Sequence, residues 1–524
     1  MSTRIFGKWR KGRLLVLVPL ILSAYTHLWN VTGFPSVHID EAHYMRRAML
    51  VINGMGPQES ASTGYPRTYD HPYFGQLFLG GILELIGYPN MYYSGDNTHS
   101  IEMLHFIPRI IMGILAVIDT FLLYGILQIR YNRTVALISA ILFAVMPMTW
   151  LLRRVYLDTL LMPFLLASIL FALYVQKSRN ENSKPMYSRR IDCRVFVLLS
   201  GIFLGLTIYT KIPAITFIPL VGYIIYLNSR KVRILIIWLV PIILIPFIWP
   251  LYSVIAGQSD LWVQWVLWQT ERDKPLGRSL NSFFQIDPII TIGGVAGLVL
   301  AALRKDFFPL IWIAPFIAFS FLIGYVQYFH LIVIFPAFCT AFGILIESVQ
   351  GRIKKHLKIF SNIIIISISI FGIVITTTLI TLNVNSANYD IYTSIAHYLP
   401  SDGKQVTLIG SHWWDWNSYW LTRFVMNKDH EMIDPMFDPY FRAPVKTDKV
   451  LFVDDPNFEE AFSRNIRGAN IVEIRQLYDN SKPIVVFHDN MTKGYKNNYP
   501  FNILEIMTEN ENHPQGNITL RANY

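Results

Sequence analysis

Long apolar runs recur through the first 380 residues and restrict the possible folds more than any other feature of the chain. Each run has about 16–24 residues, close to the length that a helix needs to cross the hydrocarbon core of a bilayer. Only 15% of the residues are charged, whereas a soluble domain carries about 25%. The sequence therefore predicts an α-helical polytopic membrane protein.

Eleven spans are predicted, and the basic N-terminal stretch "MSTRIFGKWRKGR" is interpreted as the flank of an anchor because no small-residue cleavage site follows the first run. The spans lie near residues 14–30, 104–128, 134–151, 157–176, 195–210, 213–228, 232–252, 286–303, 307–325, 328–346 and 359–381.

Basic residues mark one side of this map. The N-terminal stretch and five loops on the same side are rich in Lys and Arg, as expected for cytoplasmic segments. The net charge of +10 is therefore interpreted as membrane topology and not as a nucleic-acid surface. We expect a cytoplasmic N-terminus, an extracytoplasmic C-terminus and insertion in the cell membrane. The outer segments would be residues 31–103, about 253–285, and everything after about 383.

The chain is expected to divide into a transmembrane domain, residues 1–382, and a soluble extracytoplasmic α/β domain, residues 383–524. In this tail "QVTLIG", "KVLFVDD", "NIVEIRQL" and "PIVVFHD" are predicted strands, with helical or loop segments such as "DPNFEEAFSRNIRG" between them. Asn490 and Asn517 lie in sequons, a pattern that is frequent by chance. Trp413, Trp414 and Trp416 either bind carbohydrate or pack in the core.

Three cations on the outer side do not fit the topology rule. Arg153 and Arg154 lie between the third and fourth spans, and Lys211 lies at a tight turn between the fifth and sixth. An unpaired charge near the membrane centre costs roughly 2.5–3.5 kcal/mol on insertion scales, so an anionic partner is expected. The partner is either a carboxylate on the same side (Asp40, Glu41 or Asp158) or a lipid phosphate, which Arg and Lys both bind. The alternative is that the cations reach to the lipid headgroups.

An acidic pair, Asp40 and Glu41 in "HIDEAHY", follows the first span closely. A helix-like stretch comes next and would lie along the membrane surface. A second polar cluster, Asp70 and His71, precedes Pro72, which fixes a turn. The histidines at positions 38, 43 and 71 are structural hydrogen-bonders or substrate contacts. These residues predict an active site at the outer membrane face.

Four segments in this order carry a family resemblance: the acidic pair, "DHPYFGQLF" (70–78), "RRVYLDTLLMPF" (153–164) and "GLTIYTKIPAITFIPL" (205–220). A fifth, weaker one is "QYFHLIVIFPAF" (327–338). The chain resembles the GT-C glycosyltransferases that use polyprenyl-phosphate sugars, especially protein O-mannosyltransferases and lipid A aminoarabinose transferases. It departs from their patterns at Tyr73, Ile212 and His330.

The resemblance implies an inverting transfer of a sugar from a polyprenyl-phosphate donor to an acceptor hydroxyl on a protein, lipid or glycan. Asp40 would be the general base, Glu41 would orient hydroxyls, and Asp158 would position the acceptor or hold an arginine. Lys211 with Arg153 or Arg154 would bind the donor phosphate. The further expected substrate contacts are His43, Asp70, His71, His330, Glu271 and Arg272.

No Asp-x-Asp pattern, which oligosaccharyl-transferring relatives use to hold a divalent ion, occurs in the first outer loop. We therefore expect no required cofactor, with a divalent cation as the alternative. Membrane lipids are expected partners, and nucleic acid is not.

Trp262, Trp265 and Trp268 have helical spacing and predict either an amphipathic helix in the membrane interface or, less favoured, a platform for sugar stacking. In the resembled family, loops of this kind cap the active site.

The main rival function is a transporter or flippase of a lipid-linked substrate, which would also need outward carboxylates and phosphate-binding cations. Such a protein would more often carry charges midway along its spans, and here the spans are largely free of charge. A membrane-anchored binding protein acting through its tail is a second rival, and the ionisable clusters of the outer loops disfavour it.

Overall fold

A computed structural model gives the fold. It describes residues 14–58, 68–180, 193–272, 274–352, 355–400, 406–410, 412–428, 431–433, 445, 447, 449–456, 458, 471–488 and 517–524. By contacts the chain forms two compact units. The first, here the helical unit, comprises Met1–Val31, Tyr69–Gly75 and Ile110–Thr381. The second, here the mixed unit, comprises Thr32–Thr68, Gln76–Arg109 and Leu382–Tyr524.

Helices account for nearly all of the described residues before position 400. In chain order they are α1 (Leu17–Leu28), α2 (Ile39–Ile52), α3 (Phe74–Leu85), α4 (Thr98–Arg130), α5 (Arg133–Val145), α6 (Leu157–Asn180), α7 (Cys193–Thr210), α8 (Ile218–Ser229), α9 (Val232–Ile255), α10 (Ser259–Glu271), α11 (Leu276–Ile286), α12 (Pro288–Leu303), α13 (Phe308–Ile323), α14 (Phe335–Arg352), α15 (Lys355–Ile380) and α16 (Ser386–Tyr398). Three 3₁₀ segments, Pro147–Arg153, Ile212–Phe217 and Tyr328–Ile334, interrupt this series.

Each of the eleven predicted spans coincides with a helix or a helix pair. Among the described residues seven helices are long and apolar enough to cross a membrane, or up to nine if each of two bent pairs is one span. The bent pairs are Arg133–Val145 with Pro147–Arg153, and Leu276–Ile286 with Pro288–Leu303. The other two predicted spans correspond to the shorter apolar helices α1 and α13. The prediction of a polytopic helical membrane protein is confirmed.

Within the helical unit, α7 packs against both α6 and α9, and α14 packs against both α5 and α12. Small residues allow the closest of these approaches. A Cβ atom added to Gly297 of α12 would lie 2.1 Å from the carbonyl oxygen of Ala341 in α14, so only glycine fits at this crossing. Packing of this kind holds the helix ends in fixed positions, and the polar residues of interest lie at those ends.

The mixed unit contains α2, parts of α3 and α4, α16 and the tail. In the tail the described elements are β1 (Thr407–Gly410), α17 (His412–Tyr419), a π-helical turn (Trp420–Val425), β2 (Glu431–Ile433), β3 (Val450–Asp454), α18 (Ile471–Asp479), β4 (Lys482–His488) and β5 (Asn517–Ala522). They form one five-stranded sheet in the order β2-β1-β3-β5-β4. Strands β2, β1 and β3 are parallel, and β5 is antiparallel to both β3 and β4. The predicted α/β tail is confirmed.

Three of the four predicted tail strands are present, and the fourth is wrong. The segment "NIVEIRQL" forms α18. Its apolar residues recur at helical spacing, so Ile474, Leu477 and Tyr478 share one face and pack on Phe452 and Phe458. Most of "DPNFEEAFSRNIRG" and Asn490 lie outside the described residues. Asn517 is exposed at the start of β5.

Trp414 packs inside the mixed unit and does not face solvent. It is fully buried, and its indole nitrogen donates a hydrogen bond to Asp455 Oδ2 over 2.7 Å. The packing alternative therefore holds for this tryptophan. The side chains of Trp413 and Trp416 lie outside the described residues.

Candidate active site

The Lys211 turn is fixed by its own sequence. Helix α7 ends at Thr210, and Lys211 has an extended backbone with φ −154° and ψ 121°. Pro213 follows in the first turn of the next 3₁₀ segment. Because proline has no backbone N–H and its ring would clash with the carbonyl four residues earlier, α7 cannot continue as an α-helix through Pro213. Lys211 is therefore held at a break between two helices that could cross a membrane.

Lys211 is paired with Asp158. Its Nζ lies 2.6 Å from Asp158 Oδ2, and each side chain is about 95% buried. Asp158 lies in the first turn of α6, where the helix dipole favours a carboxylate. A buried pair with such short geometry offsets much of the desolvation cost of both charges. The sequence left open whether the partner of Lys211 is a carboxylate or a lipid phosphate, or whether Lys211 extends to the lipid headgroups. The pair with Asp158 supports the carboxylate and disfavours extension to the headgroups.

Arg153 and Arg154 are both fully buried. An Nη2–H of Arg153 donates to the carbonyl oxygen of Trp29. Arg154 donates to the Tyr156 hydroxyl over 2.7 Å, and its guanidinium carbon lies 5.0 Å from the centre of the Trp150 ring. These contacts hold the two guanidinium groups against the protein and away from headgroup water.

His330 is the centre of a cationic cluster. The charges of Lys211, Arg272, Lys274 and His71 all act on its imidazole ring. The backbone N–H of Gln327 donates to His330 Nδ1 over 3.3 Å, so a neutral His330 carries its proton on Nε2. Positions 71, 211, 272 and 330 were predicted from separate motifs, and the charges at the first three act on His330. Arg272 contacts Tyr325, whose ring centre lies 6.1 Å from that of His330. The charge of Lys274 also acts on His330, and this residue was not predicted.

Arg272 lies between two aromatic rings. Its guanidinium carbon is 3.7 Å from the centre of the Tyr325 ring and 4.9 Å from that of Trp268. It also donates to Gln269 Oε1 over 3.0 Å and to the Tyr325 hydroxyl. Stacking of this kind fixes the plane of the guanidinium, and N–H groups at its edge can still donate hydrogen bonds to an anion. Glu271, the preceding residue, is exposed.

Lys274 connects the segment after α10 to residues 324–327. Its backbone N–H donates to the Gly324 carbonyl over 3.0 Å, and the N–H of Val326 donates to its carbonyl over 3.2 Å. Its Nζ donates to Gln327 Oε1 over 2.9 Å. The α10 segment is therefore fastened beside the turn that carries His330. Sequence alone offered no signal for this pairing, because the two stretches are 50 residues apart.

The 70–78 motif packs against α10. Tyr69 and Tyr73 belong to a buried cluster with Tyr209 and Trp249, and Trp262 and Trp265 pack against it. The Tyr69 hydroxyl donates to Gln258 Oε1 over 2.7 Å. Trp268, by contrast, is 41% exposed. The predicted α10 helix is confirmed, and two of its tryptophans serve as packing residues.

Asp70 and His71 occupy the polar edge of the same motif. His71 Nε2 lies 4.0 Å from Asp70 Oδ2, and both side chains are largely buried. The amide of Gln269 in α10 donates to the Asp70 carbonyl over 3.1 Å. These contacts fasten the motif to α10, and the charge of His71 acts on His330.

In the mixed unit, the two residues of the acidic pair have different environments. Glu41 receives Nε–H and Nη2–H of Arg109 over 3.1 and 2.6 Å, and both side chains are almost completely buried. Glu41 also accepts the backbone N–H of His38, whose own Nδ1 accepts the backbone N–H of Asp40. This reciprocal arrangement is a capping box, so Glu41 and His38 begin α2.

Asp40 lies in the first turn of α2, is half-buried, and is not part of the Glu41–Arg109 ion pair. His43 lies one turn further on the same helix face and is also half-buried. Nη2–H of Arg46 donates to His43 Nδ1 over 3.0 Å, which leaves the proton of a neutral His43 on Nε2. Asp40 and His43 are thus the partly accessible ionisable groups at the start of this helix.

Metal-ligating side chains do not cluster in the described part of the chain: no group of three or more His, Cys, Asp or Glu residues there could hold a metal ion. The prediction about metal dependence stays untested.

Comparisons with known proteins show which proteins have a similar fold. Residues 17–256 match the family model described as "Dolichyl-phosphate-mannose-protein mannosyltransferase". The fold is similar to ArnT from Cupriavidus metallidurans bound to undecaprenyl phosphate, with a TM-score of 0.58, 13% identity, and 98% of each chain covered. A search of curated proteins finds no match.

The fold is also similar to the oligosaccharyltransferase of Archaeoglobus fulgidus. The form tethered to an acceptor peptide gives a TM-score of 0.53 at 12% identity, covering 89% of this chain and 72% of that one. The form in complex with an inhibitory peptide and a dolichol-phosphate gives 0.52 at 13%, covering 94% and 75%.

The chain is therefore an integral, multi-pass membrane protein with the GT-C fold. The resemblance to polyprenyl-phosphate-dependent glycosyltransferases, including the protein mannosyltransferases and ArnT, is confirmed.

Proposed function

We propose that this protein is an inverting glycosyltransferase that takes a sugar from a polyprenyl-phosphate donor and transfers it to an acceptor hydroxyl at the extracytoplasmic membrane face. The observation that carries the proposal is the cationic cluster around His330, formed by Lys211, Arg272, Lys274 and His71. A lipid phosphate placed beside this cluster would meet several positive charges at the ends of apolar helices, in addition to the Asp158 carboxylate that already pairs with Lys211.

The cluster suits a departing phosphate. When the bond between the anomeric carbon and the phosphate oxygen breaks, negative charge accumulates on the leaving group, and pre-placed donors stabilise it without reorganisation. Arg272 is held flat between Trp268 and Tyr325, so it can present two parallel N–H groups to phosphate oxygens. Lys211 is fixed by Asp158 and would act as a point charge. Arg153 and Arg154 would support the site electrostatically.

An open apolar groove with a volume of about 440 Å³ would be available to the hydrocarbon part of such a donor. It is lined by residues of α11, α12 and α13, beginning at Leu276, two residues after Lys274. Undecaprenyl phosphate bound to ArnT and dolichol-phosphate bound to the archaeal enzyme support a donor of this class.

Asp40 is the proposed general base. The acceptor oxygen attacks the anomeric carbon as the sugar–phosphate bond breaks, its proton passes to the Asp40 carboxylate, and polyprenyl phosphate leaves as the free anion. Half-burial at the start of α2 leaves the Asp40 carboxylate accessible. Glu41 is committed to Arg109, so its proposed role changes from orienting hydroxyls to holding the start of α2. His43 would contact the acceptor or the sugar.

The proposal is tested with the purified full-length protein in lipid nanodiscs, a panel of polyprenyl monophosphate sugars labelled in the sugar, and membrane extract from the source cells to supply acceptors. We expect one donor to lose its label covalently to a protein, lipid or glycan. Label that crosses the bilayer in vesicles while still attached to the lipid would support a flippase and overturn the proposal.

Lys211→Met combined with Asp158→Asn removes the buried ion pair without leaving one charge unpaired. We expect the affinity for polyprenyl monophosphate to fall about tenfold to a hundredfold, because a charge-assisted hydrogen bond contributes about 1.5–3 kcal/mol. Native mass spectrometry measures the bound fraction. Lys231→Ala, at an exposed lysine before α9, is the matched control. Equal affinity in the double variant and the control would remove Lys211 from the donor site.

The proposed reaction requires no divalent ion, because the cationic cluster already supplies the positive charge for the phosphate. Transfer should therefore continue at an unchanged rate in excess EDTA. Loss of activity that manganese or magnesium restores would contradict this expectation.

A further inference from the structure

Asn385, which lies just before α16, is a fully buried amide with an unusual set of partners. It occupies the N-cap position of α16, where an asparagine normally accepts a hydrogen bond from the first turn of its own helix. No backbone N–H of α16 makes such a capping bond here, and only the Asn388 side chain of the first turn donates to Asn385 Oδ1, over 3.4 Å. The amide group instead faces the segment that leads into α2.

Four atoms of that segment are bonded to the Asn385 side chain. Its Nδ2 donates to the carbonyls of Thr32 and Pro35 over 2.7 and 2.8 Å, and to that of Gly33 over a longer 3.4 Å. Its Oδ1 accepts the backbone N–H of Val37 over 2.9 Å. Few side chains could replace it, because the site needs a donor pair and an acceptor on one short planar group.

The rest of the segment is held in the same way. The Tyr389 hydroxyl of α16 donates to the Thr32 carbonyl over 3.0 Å, and burial raises the pKa of Tyr389, which keeps this donor protonated. The Val384 N–H donates to the Gly33 carbonyl over 2.8 Å, and Arg109 donates to the carbonyls of Pro35 and Ser36. An irregular buried backbone must have its polar groups satisfied, and here side chains do it.

We propose that Asn385 is a positioning residue that sets the direction of α2 and with it the Asp40 carboxylate. Val37 is the last residue of the segment that is bonded to Asn385, and only His38 and Ile39 separate it from Asp40. A shift of this segment therefore moves the carboxylate. The tail would thus have a part in catalysis through its first helix. This inference rests on the proposed role of Asp40 as general base.

The first test compares the steady-state kinetics of Asn385→Ala with those of wild type in the transfer assay. We expect kcat to fall about tenfold to a hundredfold while KM for the donor stays within twofold, because a misplaced base costs turnover and the cationic cluster is unaltered. Tyr524→Phe is the matched control in the same unit, since it removes one partly exposed bond to the Tyr398 carbonyl. Unchanged kcat in Asn385→Ala would overturn the proposal.

A double-mutant cycle then separates positioning from general destabilisation. If Asn385 acts through Asp40, the Asp40→Asn change should cost at least tenfold less in the Asn385→Ala background than in wild type. The same cost in both backgrounds would contradict positioning. Full activity of Asp40→Asn alone would instead refute the proposed base. If Asn385→Ala does not fold, Tyr389→Phe, which removes one hydrogen bond to Thr32, replaces it in the cycle. A smaller cost of Asp40→Asn in that background would again support positioning, and an equal cost would contradict it.

Discussion

Replacing Asp40 by asparagine should lower the rate of sugar transfer by about 10²–10⁴-fold, the usual contribution of a general base. The amide keeps the size of the carboxylate and can still hydrogen-bond at the start of α2, but it cannot accept the proton of the acceptor hydroxyl. Donor affinity and the midpoint of thermal unfolding should stay close to wild type, because Asp40 is outside the buried Glu41–Arg109 pair. Initial rates with saturating donor measure the effect.

Asp260→Asn is the matched control for this experiment. Asp260 also lies in the first turn of a helix, α10, but it is exposed. The control should retain wild-type turnover. Turnover within a factor of two of wild type in Asp40→Asn would exclude Asp40 as the base and leave His43, on the same helix face, as the next residue to replace.

Removing one partner of the Glu41–Arg109 pair should destabilise the protein by about 3–5 kcal/mol, because the remaining charge would be buried without compensation. Glu41→Ala and Arg109→Met should both show it as a large decrease in the midpoint of thermal unfolding in detergent. The combined variant Glu41→Leu with Arg109→Met should recover part of this loss, since it leaves no buried charge. Replacing Asp40 would then lower turnover, whereas replacing the neighbouring Glu41 would lower the stability of the fold.

A different pattern would refute this assignment. If Glu41→Ala unfolded at the wild-type temperature and failed only in transfer, Glu41 would act on the substrate and not on the fold. The exposed ion pair between Arg130 and Asp306 provides the comparison. Arg130→Ala should change stability by less than about 1 kcal/mol, as is usual for partly exposed pairs.

Much of the fold could be predicted because its signals are local. Apolar run length gives the spans. The break after Thr210 was also predictable, since a continuous α-helix cannot accommodate Pro213. The tail helix α18 was missed because a short apolar segment fits a strand and a helix almost equally well, and only its contacts with Phe452 decide the matter.

The candidate site was predictable in part. The sequence identified four members of the candidate site, His71, Lys211, Arg272 and His330. Their positions relative to one another depend on tertiary packing, which the sequence did not show. Arg109 is 68 positions from Glu41, and Lys274 meets residues 324–327 only through backbone pairing. The sequence also did not show that Asp40 and Glu41 have different environments. This difference arises because the capping box and Arg109 both select the second carboxylate.

The anomeric configuration of the product tests the central claim most directly. The wild-type enzyme would transfer a ¹³C-labelled sugar from its polyprenyl phosphate donor, and NMR of the isolated product would give the configuration of the new glycosidic bond. Direct displacement with one base on the acceptor and cations on the departing phosphate predicts a configuration opposite to that of the donor. A retained configuration would require a second displacement, for which this arrangement assigns no nucleophile, and would contradict the account.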